Sequence, residues 1–237
     1  MRIDKFLSNM GFGSRKEVKI LLKSKAVEVN GEIVRDPKVH VNEVTDLVAV
    51  EGEEIVYSEF IYLLMNKPQG VISATEDKYD QTVIDLLAEE DQHFEPFPVG
   101  RLDKDTEGFL LLTNDGKLAH ELLSPKKHVD KRYFAIIDGR VTEEDGEAFQ
   151  RGVMLDDGYV TKPAELNILE SGAVSRIELT ITEGKFHQVK RMFESVGKEV
   201  TYLKRLSMGP LQLDPELKLG EYRPLTEQEI DSLKQRK

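Results

Sequence analysis

The sequence predicts an α+β chain in two parts. A small helix-hairpin module comes first, followed by a larger domain on a mixed, mainly antiparallel sheet with flanking helices. Three observations predict this. Asn30-Gly31 separates the short runs Val27-Glu28-Val29 and Glu32-Ile33-Val34, the strongest short-range hairpin signal. Ahead of it stands an amphipathic stretch introduced by Ser14 with Glu17 three residues on, a capping-box pattern. Beyond about residue 58, strand-like and helix-like runs are interspersed without regular βαβ spacing, which points away from a parallel sheet.

The elements follow in order. Ile3, Phe6 and Leu7 share one helical face that ends near Gly11. The helix after Ser14 turns Val18, Leu21 and Leu22 inward and carries Arg15, Lys16, Lys19 and Lys23 on its polar side. After the hairpin, Asp46 to Val50 alternates as a strand, and the acidic Glu51-Gly52-Glu53-Glu54 leads to a module boundary near residue 58. Tyr62 to Ser73 opens the larger domain as a strand broken by Pro68 and Gly70. Phe109 to Thr113 is a buried-looking strand, Asn114-Asp115-Gly116 a turn, and Lys117 to Leu123 a short helix. Arg132 to Ile137 is a strand with Tyr133 near its start, and Thr142 caps an acidic helix to about Arg151. Val174 to Thr182 alternates as a half-buried strand. Glu183-Gly184 then turns into a helix from about Phe186 to Val196, stopped by Gly197. Val200 to Leu213 supplies further strand, and Thr226 with Glu229 caps a last helix.

Composition narrows the function classes. The 237 residues contain no cysteine, which removes disulfides, thiolate metal sites and a cysteine nucleophile, and fits a reducing cytoplasm. The five histidines are scattered without helical ligand spacing, so no metal is expected. No run approaches the roughly 18 apolar residues of a membrane span, and the N-terminus has no apolar leader and reads as mature protein. Neither a dinucleotide-binding glycine fingerprint nor a phosphate loop is present, so no nucleotide cofactor is expected.

The formal net charge is −11, yet the cations are segregated. One basic cluster fills the first forty residues, with Arg2, Lys5, Arg15, Lys16 and Lys19 prominent. A second comprises Lys126, Lys127, Lys131 and Arg132; a third comprises Lys185, Lys190, Arg191, Lys198, Lys204 and Arg205. Basic patches on an acidic body bind phosphates locally while the remainder repels non-specific contact.

The densest motif is Gly100-Arg101-Leu102-Asp103-Lys104-Asp105-Thr106-Glu107-Gly108, a polar turn running into the apolar Phe109 to Thr113. Loops braced on a rigid sheet are where catalytic groups tend to sit. Residues at i and i+2 point to one side of an extended segment, so Arg101 and Asp103 face one ligand together.

Residues 1–50 resemble the S4 RNA-binding module through Arg2-Ile3-Asp4-Lys5-Phe6-Leu7, Gly13-Ser14-Arg15 and Val27-Glu28-Val29-Asn30-Gly31. Arg2, Lys5, Arg15, Lys16 and Lys19 would then dock RNA by shape and backbone contacts. The polar turn, Lys131-Arg132-Tyr133, and Gly184-Lys185-Phe186-His187-Gln188-Val189-Lys190-Arg191-Met192-Phe193 together resemble the bacterial 16S rRNA pseudouridine synthase family (RsuA type). Gly220-Glu221-Tyr222-Arg223-Pro224-Leu225 extends the likeness nearly to the C-terminus.

The resemblance implies an S4-like module and linker over 1–58 and a catalytic domain over 59–237, in two halves of about 59–130 and 131–237. It implies isomerisation of a 16S rRNA uridine, free or in a small-subunit assembly intermediate, by a cytoplasmic monomer without cofactor, metal or membrane. Asp103 is the implied catalytic carboxylate, acting on a nucleotide taken out of its stack. Lys185 is expected as the cation facing Asp103, and Tyr133 as the residue that stacks on the base and relays a proton. Arg101 and Leu102 are expected beside the extruded nucleotide, Lys67 either on an RNA phosphate or as a solvated loop lysine, and Gln188 and Arg191 along the substrate wall. His187 reads as a structural histidine. The short C-terminus without a basic tail, Leu166 to Leu169 and Tyr222-Arg223-Pro224 favour the 16S branch. The alternatives are a sibling synthase acting on 23S rRNA or tRNA, and a non-catalytic RNA-binding assembly factor.

Overall fold

The computed structural model describes residues 1–124 and 127–235; Lys126 of the second basic cluster lies outside them. The chain divides into two compact units, Met1–Ile61 with Ala88–Glu95, and Tyr62–Leu87 with Pro96–Lys237.

In the first unit, α1 (Ile3–Asn9) and α2 (Arg15–Lys23) precede β1 (Val27–Val29), β2 (Glu32–Ile33), β3 (Val48–Val50) and β4 (Glu53–Ile55). The strands form an antiparallel sheet of order β2-β1-β3-β4. Asn30 and Gly31, both at positive φ, make the β1–β2 turn. The Ser14 hydroxyl accepts from the Glu17 amide while the Glu17 carboxylate accepts from the Ser14 amide, closing the expected capping box. Ile3, Phe6, Leu7, Val18 and Leu22 pack with Val27, Val48 and Val50 into one core. Their burial leaves Lys5, Arg15, Lys16 and Lys19 exposed. The segment Ala88–Glu95, which sequence alone leaves in the larger domain, belongs to this unit. There a ring nitrogen of His93 lies 3.0 Å from the Ser8 carbonyl.

The second unit starts with β5 (Tyr62–Lys67). After a short helix, α3 (Glu89–Gln92), in the excursion to the first unit, it continues through β6 (Phe97–Pro98), β7 (Glu107–Thr113), α4 (Gly116–Leu123), β8 (Lys131–Asp138) and α5 (Glu143–Arg151). Then come β9 (Glu165–Glu170), β10 (Val174–Ile181), α6 (Gln188–Ser195), β11 (Glu199–Met208), β12 (Leu211–Gln212), β13 (Tyr222–Pro224) and α7 (Glu227–Lys234). Among the described residues these strands make a nine-stranded sheet of order β13-β5-β7-β11-β8-β10-β9, with β12 beside β11 and β6 beside β7. No helix there is long and apolar enough to cross a membrane.

Every residue of β5 and β7 is buried, as the unbroken apolar run in β7 requires of a central strand. Tyr62, Leu64, Phe109 and Leu111 pack with Leu118, Ala119 and Leu122 of α4. Phe149 of α5 and Phe193 of α6, both fully buried, meet edge-on at 5.0 Å, a pairing worth about 0.5–1.5 kcal/mol beyond the area it buries.

Among the described residues one strand pairing in this sheet is parallel, that of β7 with β11, and it spans two registered pairs, Glu107 with Lys204 and Gly108 with Arg205. The β5–β7 half and the β8–β10 half join at this narrow seam. Gly108 makes the seam possible: at φ +102°, a β-carbon there would lie 2.2 Å from the Arg205 carbonyl oxygen. Only glycine combines that backbone conformation with so close an approach.

Candidate active site

The polar turn Gly100–Thr106 lies between β6 and β7, directly before the seam. It is clamped from two sides. Lys67, at the end of β5, has no exposed surface, and its ammonium donates to the carbonyls of Pro68, Asp103 and Thr106 at 2.9, 3.1 and 2.9 Å. Burial pushes the Lys67 ammonium down to about 8, against the pull of the nearby carboxylates, Asp103 first among them. From the other side, the Ser73 hydroxyl accepts from the Leu102 amide and donates to the Leu102 carbonyl, both at 3.0 Å. A further backbone bond, from the Gly70 amide to the Lys104 carbonyl, completes the support. Catalytic groups held by backbone bonds of this kind need no reorganisation when a ligand arrives.

Asp103 leaves the turn with its carboxylate about a third exposed. Oδ2 lies 3.6 Å from the ammonium of Lys190 and Oδ1 lies 3.5 Å from Nε2 of His187. Lys190 also donates to both oxygens of Asp105, at 2.7 and 2.8 Å, which holds the Asp105 carboxyl below the usual range. Asp103 shares one cleft with Arg101, Leu102, Tyr133, Lys185, His187 and Arg205. Tyr133, nearly buried on β8, stands in register with Arg205 on β11 and Leu179 on β10. The predicted Arg101, Leu102, Asp103 and Tyr133 are thus brought together.

Arg205 is the cleft residue that sequence reading assigned elsewhere, to a surface patch. It is 2% exposed. Its Nε donates to the Phe109 carbonyl at 2.8 Å, while Nη2 has no acceptor among the described residues. A buried N–H without a partner is costly. That buried N–H sits behind the cleft which Arg205 lines.

The far wall is the segment Glu183–Gln188 leading into α6. Glu183, nearly buried, accepts from the Tyr159 hydroxyl at 2.6 Å, the Lys162 amide at 2.9 Å and Gln188 Nε2 at 2.8 Å. The hydrogen bond to Glu183 pushes the Tyr159 hydroxyl up. Gln188 Oε1 accepts from the Lys185 amide at 2.9 Å. His187 takes a left-handed backbone, φ +48°, just before the helix.

Two models of known families match the chain. That described as RNA pseudouridylate synthase covers residues 61–195, and the S4 domain covers residues 1–48. The chain belongs to the RNA pseudouridylate synthase family. An uncharacterized RNA pseudouridine synthase of Bacillus subtilis (strain 168) is 58% identical over 98% of both chains. The ribosomal small subunit pseudouridine synthase A of Escherichia coli (strain K12) is 38% identical, covering 98% of this chain and all of that one. A crystal structure of a pseudouridylate synthase superposes with a TM-score of 0.69 at 36% identity, over 98% of this chain and 99% of that one.

Three expectations about this synthase need correction. Lys185 lines the cleft with Asp103 but forms no ion pair with it among the described residues: its ammonium sits 4.5 Å from the Tyr159 ring centre, and Lys190 lies 3.6 Å from the carboxylate. Lys185 precedes α6, whereas Lys190 stands in the first turn of that helix, which brings its ammonium to the Asp103 loop. Lys67 reaches no phosphate, because it is sealed beneath the loop whose carbonyls it holds. Arg191 lies along no substrate wall. Its guanidinium is taken by Asp156, Asp157 and the Phe186 carbonyl.

Gln188 lines the cleft, but both ends of its amide are used internally, so it orders the wall. His187 does more than the structural role expected of it, since it touches the Asp103 carboxylate. The third basic cluster is likewise not one surface patch: Arg205 is buried, Arg191 is paired, and Lys198 is bound to Asp145 at 2.8 Å. In the S4 unit, Arg2 is tied to the buried Asp4 at 2.7 Å, whereas Lys5, Arg15, Lys16 and Lys19 face solvent.

Proposed function

We propose that this synthase converts a uridine of small-subunit (16S) rRNA to pseudouridine, with Asp103 acting on a nucleotide flipped into the cleft. The observation that carries the reading is a carboxylate on a rigidly clamped turn, flanked by Lys190 and His187 and sharing its cleft with Tyr133 and Arg205. A pure RNA binder gains nothing from a carboxylate there, since it repels phosphates.

The reaction is an isomerisation. The bond from N1 of the base to C1′ of the ribose breaks, the base turns, and a bond from C5 to C1′ forms. The proton leaves C5 and N1 gains one, so nothing is added and no redox partner is needed. Asp103 acts at the sugar as nucleophile or base, and the Lys190 ammonium orients it and complements its charge. Tyr133 stacks on the base and its hydroxyl takes part in proton transfer from C5. Arg205, which lines the cleft, adds positive charge beside the bound nucleotide. Arg101 fills the space the uridine leaves or contacts its phosphate.

The S4 unit docks rRNA through Lys5, Arg15, Lys16 and Lys19, reading shape and backbone. Small-subunit specificity is supported by the likeness along the whole chain to small-subunit enzymes, including that of Vibrio cholerae at 40% identity. The test is to incubate the protein with unmodified 16S rRNA, small-subunit particles and 23S rRNA, then map pseudouridine by chemical adduct and primer extension. Product in 16S rRNA or its particles supports the reading. Product only in 23S rRNA assigns a sibling specificity, and product in none removes rRNA as the substrate.

A further inference from the structure

Phe186 is 75% exposed, an unusual position for a phenylalanine beside a polar cleft. One face of its ring lies on the His187 imidazole, with centroids 3.7 Å apart and planes 19° from parallel. His187 in turn stands 3.5 Å from the Asp103 carboxylate. The pair is therefore a flat projection whose inner member touches the proposed catalytic group.

Its position is fixed rather than frayed. The Phe186 carbonyl accepts from Arg191 Nη1 at 3.2 Å, the Lys185 amide is held by Gln188, and the Gln188 amide returns to the Lys185 carbonyl at 3.2 Å. With one face on His187 and most of its surface exposed, the Phe186 ring has its outer face open to a planar partner. His187 also lines a shallow groove with Gln69, Lys104, Lys190, Asp103 and Asp105, in which Lys104 is paired with Asp80 and Lys190 with Asp105. Exposed aromatic faces are how proteins hold single-stranded nucleic acid without reading its sequence, because successive bases stack on them. Flipping a nucleotide also strips its neighbours of one stacking partner.

We infer that Phe186, backed by His187, is a stacking platform for the base adjacent to the target uridine. This rests on the cleft acting on a flipped nucleotide of RNA. The platform is sequence-tolerant, because every base has a face to stack. It orders the strand on one side of the target, leaving the pocket to read the uridine itself.

The test uses full-length protein and a 16S rRNA fragment, with 2-aminopurine placed immediately 5′ or 3′ of the candidate target uridine. Binding by the wild type should quench the probe on one side. Phe186→Ala should lose that quench and raise KM roughly tenfold with kcat within about twofold, since stacking acts on binding. Phe186→Trp should restore both. The exposed position lets each variant fold, which an unchanged thermal midpoint verifies. Pseudouridine formation with unchanged quench and KM in Phe186→Ala overturns the inference while leaving the proposed activity intact. A quench that depends on Phe186, on an RNA in which no pseudouridine forms, supports the platform and counts against the activity.

Discussion

The ammonium of Lys190 sits 3.6 Å from the Asp103 carboxylate and 2.7 Å from that of Asp105, bridging two acids of one turn. It is the cation paired with the proposed catalytic group, whereas Lys185, nearer in the motif, rests over Tyr159. Lys190→Gln should therefore lower kcat by about a hundredfold, the order of loss when one preorganised electrostatic partner is removed from an active site. Lys185→Gln gives up a cation–π contact and should cost only about threefold. Steady-state kinetics on the two variants check this, and equal losses would contradict the assignment.

Much of the framework was legible in the chain. The capping boxes at Ser14 and Thr226, the Asn30-Gly31 hairpin and the apolar run of β7 are local features, decided within a few residues. The Arg101-Leu102-Asp103 turn and Tyr133 were legible as motifs, and they do share a cleft. What was not legible depends on contacts distant in sequence. Lys67 reads like any loop lysine until β5 pairs with β7 and seals it under Asp103. Arg205 reads as one charge of a cluster until β11 slides against Gly108. Nothing in the composition of Ala88–Glu95 says that it packs with the first unit, because that depends on where His93 lands beside Ser8.

The buried Lys67 makes stability depend on pH with a definite sign. Its folded value is about 8, below the 10.5 of an unperturbed lysine. Between these values the unfolded chain still binds the proton that the folded chain has released, so stability rises with pH in that window. Denaturant midpoints of wild type and Lys67→Met should diverge from about pH 8 to 10.5, wild type gaining by up to about 1.4 kcal/mol per pH unit. A constant difference would mean that Lys67 titrates as an exposed lysine.

Gly108 has no substitute at the seam. Gly108→Ala places a β-carbon against the Arg205 carbonyl and strains a positive φ. It should cost roughly 2–4 kcal/mol in urea denaturation. Gly116→Ala meets nothing within 4 Å and should change stability by less than about 1 kcal/mol. Similar effects at the two sites would remove the argument from close approach.

If α1 and α2 dock rRNA, neutralising Arg15, Lys16 and Lys19 together as glutamines should weaken binding at every sequence. It should also flatten the slope of log affinity against log salt by about 2 to 3, the counterion release of three phosphates. A salt titration by filter binding reads this directly. An unchanged slope would place the RNA on another face of the S4 unit.

The decisive measurement compares wild type with Asp103→Asn on the same 16S rRNA fragment in single turnover, with binding measured in parallel. The account predicts pseudouridine from the wild type and none from Asp103→Asn, at RNA affinities within about threefold of each other because the lost charge does not hold RNA. Pseudouridine from Asp103→Asn at the wild-type rate would contradict it.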